Sequence, residues 1–205
     1  AFFREPYHFT ALKELLAPMG HWPLSKRIRL WSAASSSGAE AYTMAMCVLD
    51  ALPDAPRRNL KILATDIDTR ILEQARAAQF PLSMAEAIPA PQRKAYTVPS
   101  AGQTFRMSED ARRLVTFLPL NLLEDWPLQG AFDIIFCRNV AIYFDHETQQ
   151  RLFSRLARQL HPQGWLFIGH AETVAASCAL LTPRGRTMYQ RTESQSTAFL
   201  RTGTP

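Results

Sequence analysis

A short apolar run, Ile134, Ile135 and Phe136, passes directly into Cys137, Arg138 and Asn139, with Tyr143 a few residues on, and constrains this chain more than any other feature. Consecutive apolar side chains point alternately to the two faces of a strand, so this strand must be covered on both sides, as in a parallel sheet flanked by helices. The polar residues follow where the chain leaves the sheet. Ligands of open α/β sheets collect at that end of the strands.

The rest of the chain alternates in the same sense. Helical spacing predicts an outer helix over 7–19, with Phe9, Leu12, Leu15 and Leu16 on one face and Pro18 and Gly20 at its end. Strands are predicted at 27–32 and 60–64, separated by a small-residue turn, 33–38, and a helix over 39–52 that stops at Pro53. A helix over 70–78 follows, capped by Asp68 or Thr69. From about 80 to 116 the composition shifts toward proline and polar residues, which reads as an inserted subdomain. Alternation resumes near Val115 and continues through a strand over 132–137, a helix over 147–160 and a strand over 165–169. Residues 185–191 read as a last strand, and the Ser/Thr-rich stretch 192–205 as a flexible tail. Such βα alternation implies a doubly wound, mostly parallel sheet.

At 205 residues and 47% hydrophobic, the chain can bury the core of one domain. The net charge of +5 favours an acidic partner, or is only an arginine-rich solvated surface, since the arginines are scattered. Three widely spaced cysteines suit a reducing cytoplasm and build neither a disulfide framework nor a zinc site. No run is long enough to span a membrane, and the first residues lack the order of a signal peptide. The chain starts without methionine inside an ordered-looking segment, so Ala1 reads as a processing boundary.

The first strand, turn and helix lack both the Gly-x-Gly-x-x-Gly fingerprint and a phosphate-cradling Gly-x-x-x-x-Gly-Lys loop. A ligand with an adenosine and no phosphates fits better. Asp66, just after the second strand, stands where an acid accepts ribose hydroxyls, or else caps the next helix; Asp68 is better placed for the cap. Gly164 ends a Pro-x-Gly turn of a kind that recurs in S-adenosylmethionine-dependent methyltransferases and in many other folds.

Together these residues resemble the catalytic domain of the chemotaxis receptor methyltransferases, the CheR family. The motifs are Phe2-Phe-Arg-Glu5, Trp31-Ser-Ala-Ala-Ser, Gly38-x-Glu-x-Tyr42, Ala64-Thr-Asp-Ile-Asp68, Asn121-Leu-Leu, Phe132-Asp-x-Ile-Phe-Cys-Arg-Asn-Val-x-Ile-Tyr-Phe144 and Gly169-His-x-Glu172. They span about 2–191. The resemblance implies a Rossmann-like α/β methyltransferase fold with a small antiparallel β-subdomain inserted at about 80–116. It implies S-adenosylmethionine as cofactor, S-adenosylhomocysteine as product, and glutamates of the cytoplasmic domains of chemotaxis receptors as substrate. A receptor carboxyl-terminal peptide is a possible ligand of the β-subdomain; nucleic acid and membrane insertion are not expected. The family's amino-terminal helical domain is absent from this sequence, Ala39 stands where an acidic or amide residue is usual, and Ala41 where proline is common.

Carried over residue by residue, Arg4, Ala33, Glu40, Asp66, Ile67, Asn121, Leu122, Arg138 and Asn139 would surround the cofactor, with Arg4, Arg138 and Tyr143 at the methyl-transfer site. The plain alternatives are a core aromatic for Tyr143 and a surface salt bridge for Arg138. His170 and Glu172 are expected at the edge of the cofactor or substrate site, and no metal is expected. Phe3, Trp31 and Phe136 read as core residues. The competing functions are a noncatalytic S-adenosylmethionine-binding module and an RNA or small-molecule methyltransferase. Retained Arg138 and Tyr143 favour catalysis over the first.

Overall fold

In the computed structural model, which describes residues 1–174 and 178–192, the chain divides into two units, Ala1–Trp126 and Pro127–Pro205. The first unit begins with helix α1 (Pro6–Leu16), where Pro6 supplies a preset φ and Phe9, Leu12 and Leu16 form the buried face. A 3₁₀ turn, Ala17–His21, replaces the last turn expected from the sequence, because Pro18 denies the helix a backbone donor. Strand β1 (Ile28–Ala33) leads to helix α2 (Ala39–Ala51), which is apolar nearly all round and buried over ten residues, as an interior helix must be. Strand β2 (Leu60–Asp66) and helix α3 (Thr69–Ala77) follow, and Asp68 caps α3 by accepting the N–H groups of Arg70 and Ile71.

The composition shift falls on a second sheet. Strands β3 (Gln79–Pro81), β4 (Thr97–Ser100) and β5 (Thr104–Met107), with helix α4 (Ala90–Tyr96), form a small antiparallel sheet in the order β3-β5-β4. Its base is aromatic: Phe80 stacks on Phe105 at 5.7 Å and meets Phe2 edge-on at 4.9 Å. Helix α5 (Glu109–Leu114), capped by Ser108, returns the chain to strand β6 (Val115–Pro119). Strands β6, β2 and β1 are adjacent in that order and parallel, with Ala33 opposite Thr65 and Asp66 opposite Pro119. All three strands therefore end along one edge.

The second unit has strand β7 (Phe132–Cys137), matching the strand expected there, helix α6 (His146–Gln159) and strand β8 (Leu160–Ile168), parallel to β7. β8 starts earlier than expected because Leu160 already pairs with Phe132; regular pairing resumes at Trp165 opposite Ile134. Gly164 closes the intervening bulge, where an added Cβ would stand 2.9 Å from the His161 carbonyl oxygen. Strand β9 (Leu181–Pro183), unforeseen because it is short and ends in proline, pairs with strand β10 (Met188–Arg191), which lies antiparallel to β8. The last strand is thus shorter than the stretch 185–191 read from sequence. The α/β class with mostly parallel pairing is the one the alternation indicated, and the small antiparallel sheet is the one the family resemblance implied. Of the tail, 193–205 lies outside the described residues.

No helix among the described residues is long and apolar enough to cross a membrane.

Candidate functional site

In the first unit the polar groups gather where β1, β2 and β6 end. The turn after β1 is unusual in its backbone: Ala34, Ser36 and Gly38 all have positive φ, at 60°, 50° and 83°. Non-glycine residues pay strain for that conformation, and it persists only where surrounding bonds enforce it. Here the Ser35 N–H donates to the Thr65 carbonyl at 2.8 Å and the Ser36 N–H to the Asp66 carboxylate at 2.8 Å. Gly38 has no room for a side chain, since a Cβ would lie 3.0 Å from both the Ala75 Cβ and the Phe117 ring.

Asp66 and Asp68 divide the two roles that the sequence left open. Asp68 is the helix cap; Asp66 instead accepts the Ser36 and Asp68 N–H groups, one on each carboxylate oxygen. A carboxylate has about four acceptor sites. Half-buried at the end of β2, Asp66 keeps acceptor capacity for hydroxyls. Ile67 beside it is 69% exposed, an apolar side chain available to cover a flat base.

The remaining residues named for this half are placed as follows. Ala33 is buried at the last position of β1. Glu40, in the first turn of α2, accepts the Ser32 hydroxyl at 2.8 Å. Asn121 folds its own turn, its Oδ1 accepting the Leu123 N–H and its Nδ2 donating to Glu124, while Leu122 is buried. Arg4 is exposed between Phe3 and Glu5, both at positive φ, and the Phe3 N–H donates to Thr43 of α2. An acid with spare acceptor sites, an exposed isoleucine and a small-residue turn fit an adenosine ligand without phosphates.

In the second unit Arg138, Asn139 and Tyr143 leave the end of β7. Arg138 is 5% exposed, with its guanidinium carbon 5.9 Å from the Phe136 ring centroid, which is not the setting of a surface salt bridge. Tyr143, at 80% exposure, is not a core aromatic. It ends a 3₁₀ turn, Ala141–Tyr143, that keeps the loop short. Trp31 and Phe136 are fully buried, as read from sequence, and Phe3 is half-buried.

Glu172 differs from its expected place at the edge of a ligand site. It is 5% exposed, and its carboxylate accepts four backbone N–H groups, from Asn139, Val140, Ala141 and Gly169. A buried carboxylate needs such compensation, and here four main-chain N–H groups supply it. The available signal was its position three residues after a glycine at a strand end; nothing local named its partners. His170 is exposed.

Burial pushes the Cys47 thiol up to about 12, which disfavours the thiolate. Among the described residues no group of three or more His, Cys, Asp or Glu could hold a metal ion.

Residues 1–189 match the family described as CheR methyltransferase, SAM binding domain. The chain belongs to this family. CheR relatives agree: chemotaxis protein methyltransferase 2 of Pseudomonas aeruginosa is 44% identical over 198 residues, covering 92% of this chain and 68% of that protein. The chemotaxis protein methyltransferase of Escherichia coli is 39% identical over 193 residues, covering 92% and 65%. This chain thus spans about two thirds of the length of these curated relatives. Solved methyltransferases are looser likenesses. The DszA carbon methyltransferase, at 20% identity, gives a TM-score of 0.49 over 80% of this chain and 35% of that one. The cofactor of this CheR domain is S-adenosylmethionine.

Proposed function

We propose that this chain methylates glutamate side chains of chemotaxis receptors, in the cytoplasm, forming methyl esters. The observation that carries this reading is the loop leaving β7, where a buried arginine, Arg138, and an exposed tyrosine, Tyr143, follow the strand end. The relatives named chemotaxis protein methyltransferases support it.

When bound, S-adenosylmethionine would supply a sulfonium methyl, and transfer to a carboxylate oxygen would break the carbon–sulfur bond with its electron pair left on sulfur, so no proton would need to move. A glutamate with a pKa of about 4.3 is already ionised at neutral pH, so the protein's task is alignment rather than proton removal. Asp66 would take the ribose hydroxyls, Ile67 and Leu122 would line the base, and Ala33, Glu40, Asn121 and Asn139 would complete the cofactor contacts. Tyr143 donates to the attacking carboxylate oxygen, while Arg138 and Arg4 contact its partner oxygen and the cofactor. An arginine clamp on the attacking oxygen would oppose the reaction, because charge is lost there in the transition state. The reading includes the outer strand β4, with its exposed Val98, as the docking edge for a receptor carboxyl-terminal peptide.

The test is incubation with a receptor cytoplasmic domain and methyl-labelled S-adenosylmethionine, followed by peptide mass mapping and a mild-base wash. Base-labile methyl on glutamate is expected. Label on lysine or on RNA would overturn the reading, and cofactor binding without any transfer would leave a noncatalytic module.

A further inference from the structure

The loop 138–144 is gripped from both sides of its backbone. On the donor side, Glu172 Oε1 accepts the Val140 and Ala141 N–H groups at 2.9 and 2.7 Å, and Oε2 accepts those of Asn139 and Gly169 at 3.0 and 2.6 Å. On the acceptor side, the Gln149 side-chain amide, from α6, donates to the carbonyls of Ala141 and Phe144 at 3.0 and 2.9 Å. Asn139 is held at φ 59°, a conformation a non-glycine residue keeps only under such constraint. Gly169 lets the grip close: a Cβ there would stand 2.6 Å from Asn139 Nδ2 and 2.9 Å from Glu172 Oε2.

We infer that Glu172, with Gln149, is a positioning residue that holds the Arg138 to Tyr143 loop in its reactive shape. The inference rests on the proposed carboxylate methylation. Neither side chain needs to touch substrate. Four N–H groups converging on one carboxylate order three consecutive residues of the loop at once, and the glutamine fixes the two carbonyls that bound its 3₁₀ turn. A displacement of about 1 Å in such a loop is worth about 10²-fold in rate. Replacing Glu172 by Gln is a severe change despite equal size, because the amide keeps one acceptor oxygen and aims its own N–H groups at two of the donors.

The experiment compares wild type, Glu172→Gln and Gln149→Ala for receptor methylation, S-adenosylhomocysteine titration and amide hydrogen exchange. Rates are taken per cofactor-binding site, so that loss of folded protein does not count. We expect kcat to fall about 10²-fold in Glu172→Gln and about tenfold in Gln149→Ala, with receptor KM and S-adenosylhomocysteine affinity changed less than about fivefold. Exchange at residues 139–141 and 169 should quicken in Glu172→Gln. A kcat within twofold of wild type in both variants, or in Gln149→Ala alone if the other does not fold, overturns the inference. If wild type transfers no methyl to receptor carboxylates, the proposed reaction fails instead; unchanged exchange in a folded Glu172→Gln would then refute the grip itself.

Discussion

The Ser36 N–H donates to the Asp66 carboxylate at 2.8 Å, which ties the turn after β1 to the end of β2 across thirty positions of sequence. One oxygen of the acid therefore holds the turn, and the other holds the Asp68 N–H at 3.1 Å. The same side chain that shapes the turn is the one assigned to the ribose. Replacing Asp66 by Ala should weaken S-adenosylhomocysteine binding by about 1.5–3 kcal/mol, the range for hydrogen bonds to a charged acceptor. Calorimetric titration checks it, and an affinity equal to wild type would remove Asp66 from the cofactor contacts.

Tyr143 is too exposed to contribute packing, so Tyr143→Phe should leave stability within about 0.5 kcal/mol of wild type. If its hydroxyl donates to the substrate carboxylate, kcat should fall by about tenfold or more while S-adenosylhomocysteine affinity holds. Steady-state kinetics beside a binding titration separates the two. Equal losses of rate and cofactor affinity would count against the assignment.

Gly38→Ala meets two obstacles together, a φ of 83° and contacts of 3.0 Å with the Ala75 Cβ and the Phe117 ring. A loss of about 1–3 kcal/mol in urea unfolding is expected. Stability equal to wild type would show that the turn relaxes at no cost.

The Thr148 N–H donates to Asp145 at the start of α6 and holds that carboxyl below the usual carboxylate range. Its folded pKa is lower than the unfolded value of about 3.9, so its contribution is present above that value and is lost as pH falls through the folded one. Asp145→Asn keeps a capping oxygen and removes the titration. The unfolding midpoint of wild type should therefore drop more steeply than that of the variant as pH falls below about 4. Parallel curves would show that the cap carries no such linkage.

Much of the fold was legible because its signals are local. An apolar run that both faces of a strand must bury located β7 residue for residue, and Asp68 was readable as a cap because a cap reaches only two or three residues ahead. The insertion showed as a change of composition, although its strand order did not: the pairing of β3 with β5 joins residues some twenty-five apart. Family motifs supplied the candidate residues around Asp66 and the β7 loop.

Sequence alone determined the α/β class and named candidate side chains at the strand ends, since periodicity, turn chemistry and motif spacing are all written in neighbouring residues. Tertiary structure alone decided which main-chain groups need partners and which acids meet them. Glu172 lies 31 to 33 positions beyond the loop amides it accepts, and its role depends on their convergence beside the end of β8. A hydrogen bond is made by geometry at about 3 Å, and residue order reaches that distance only through the packing of the strands between.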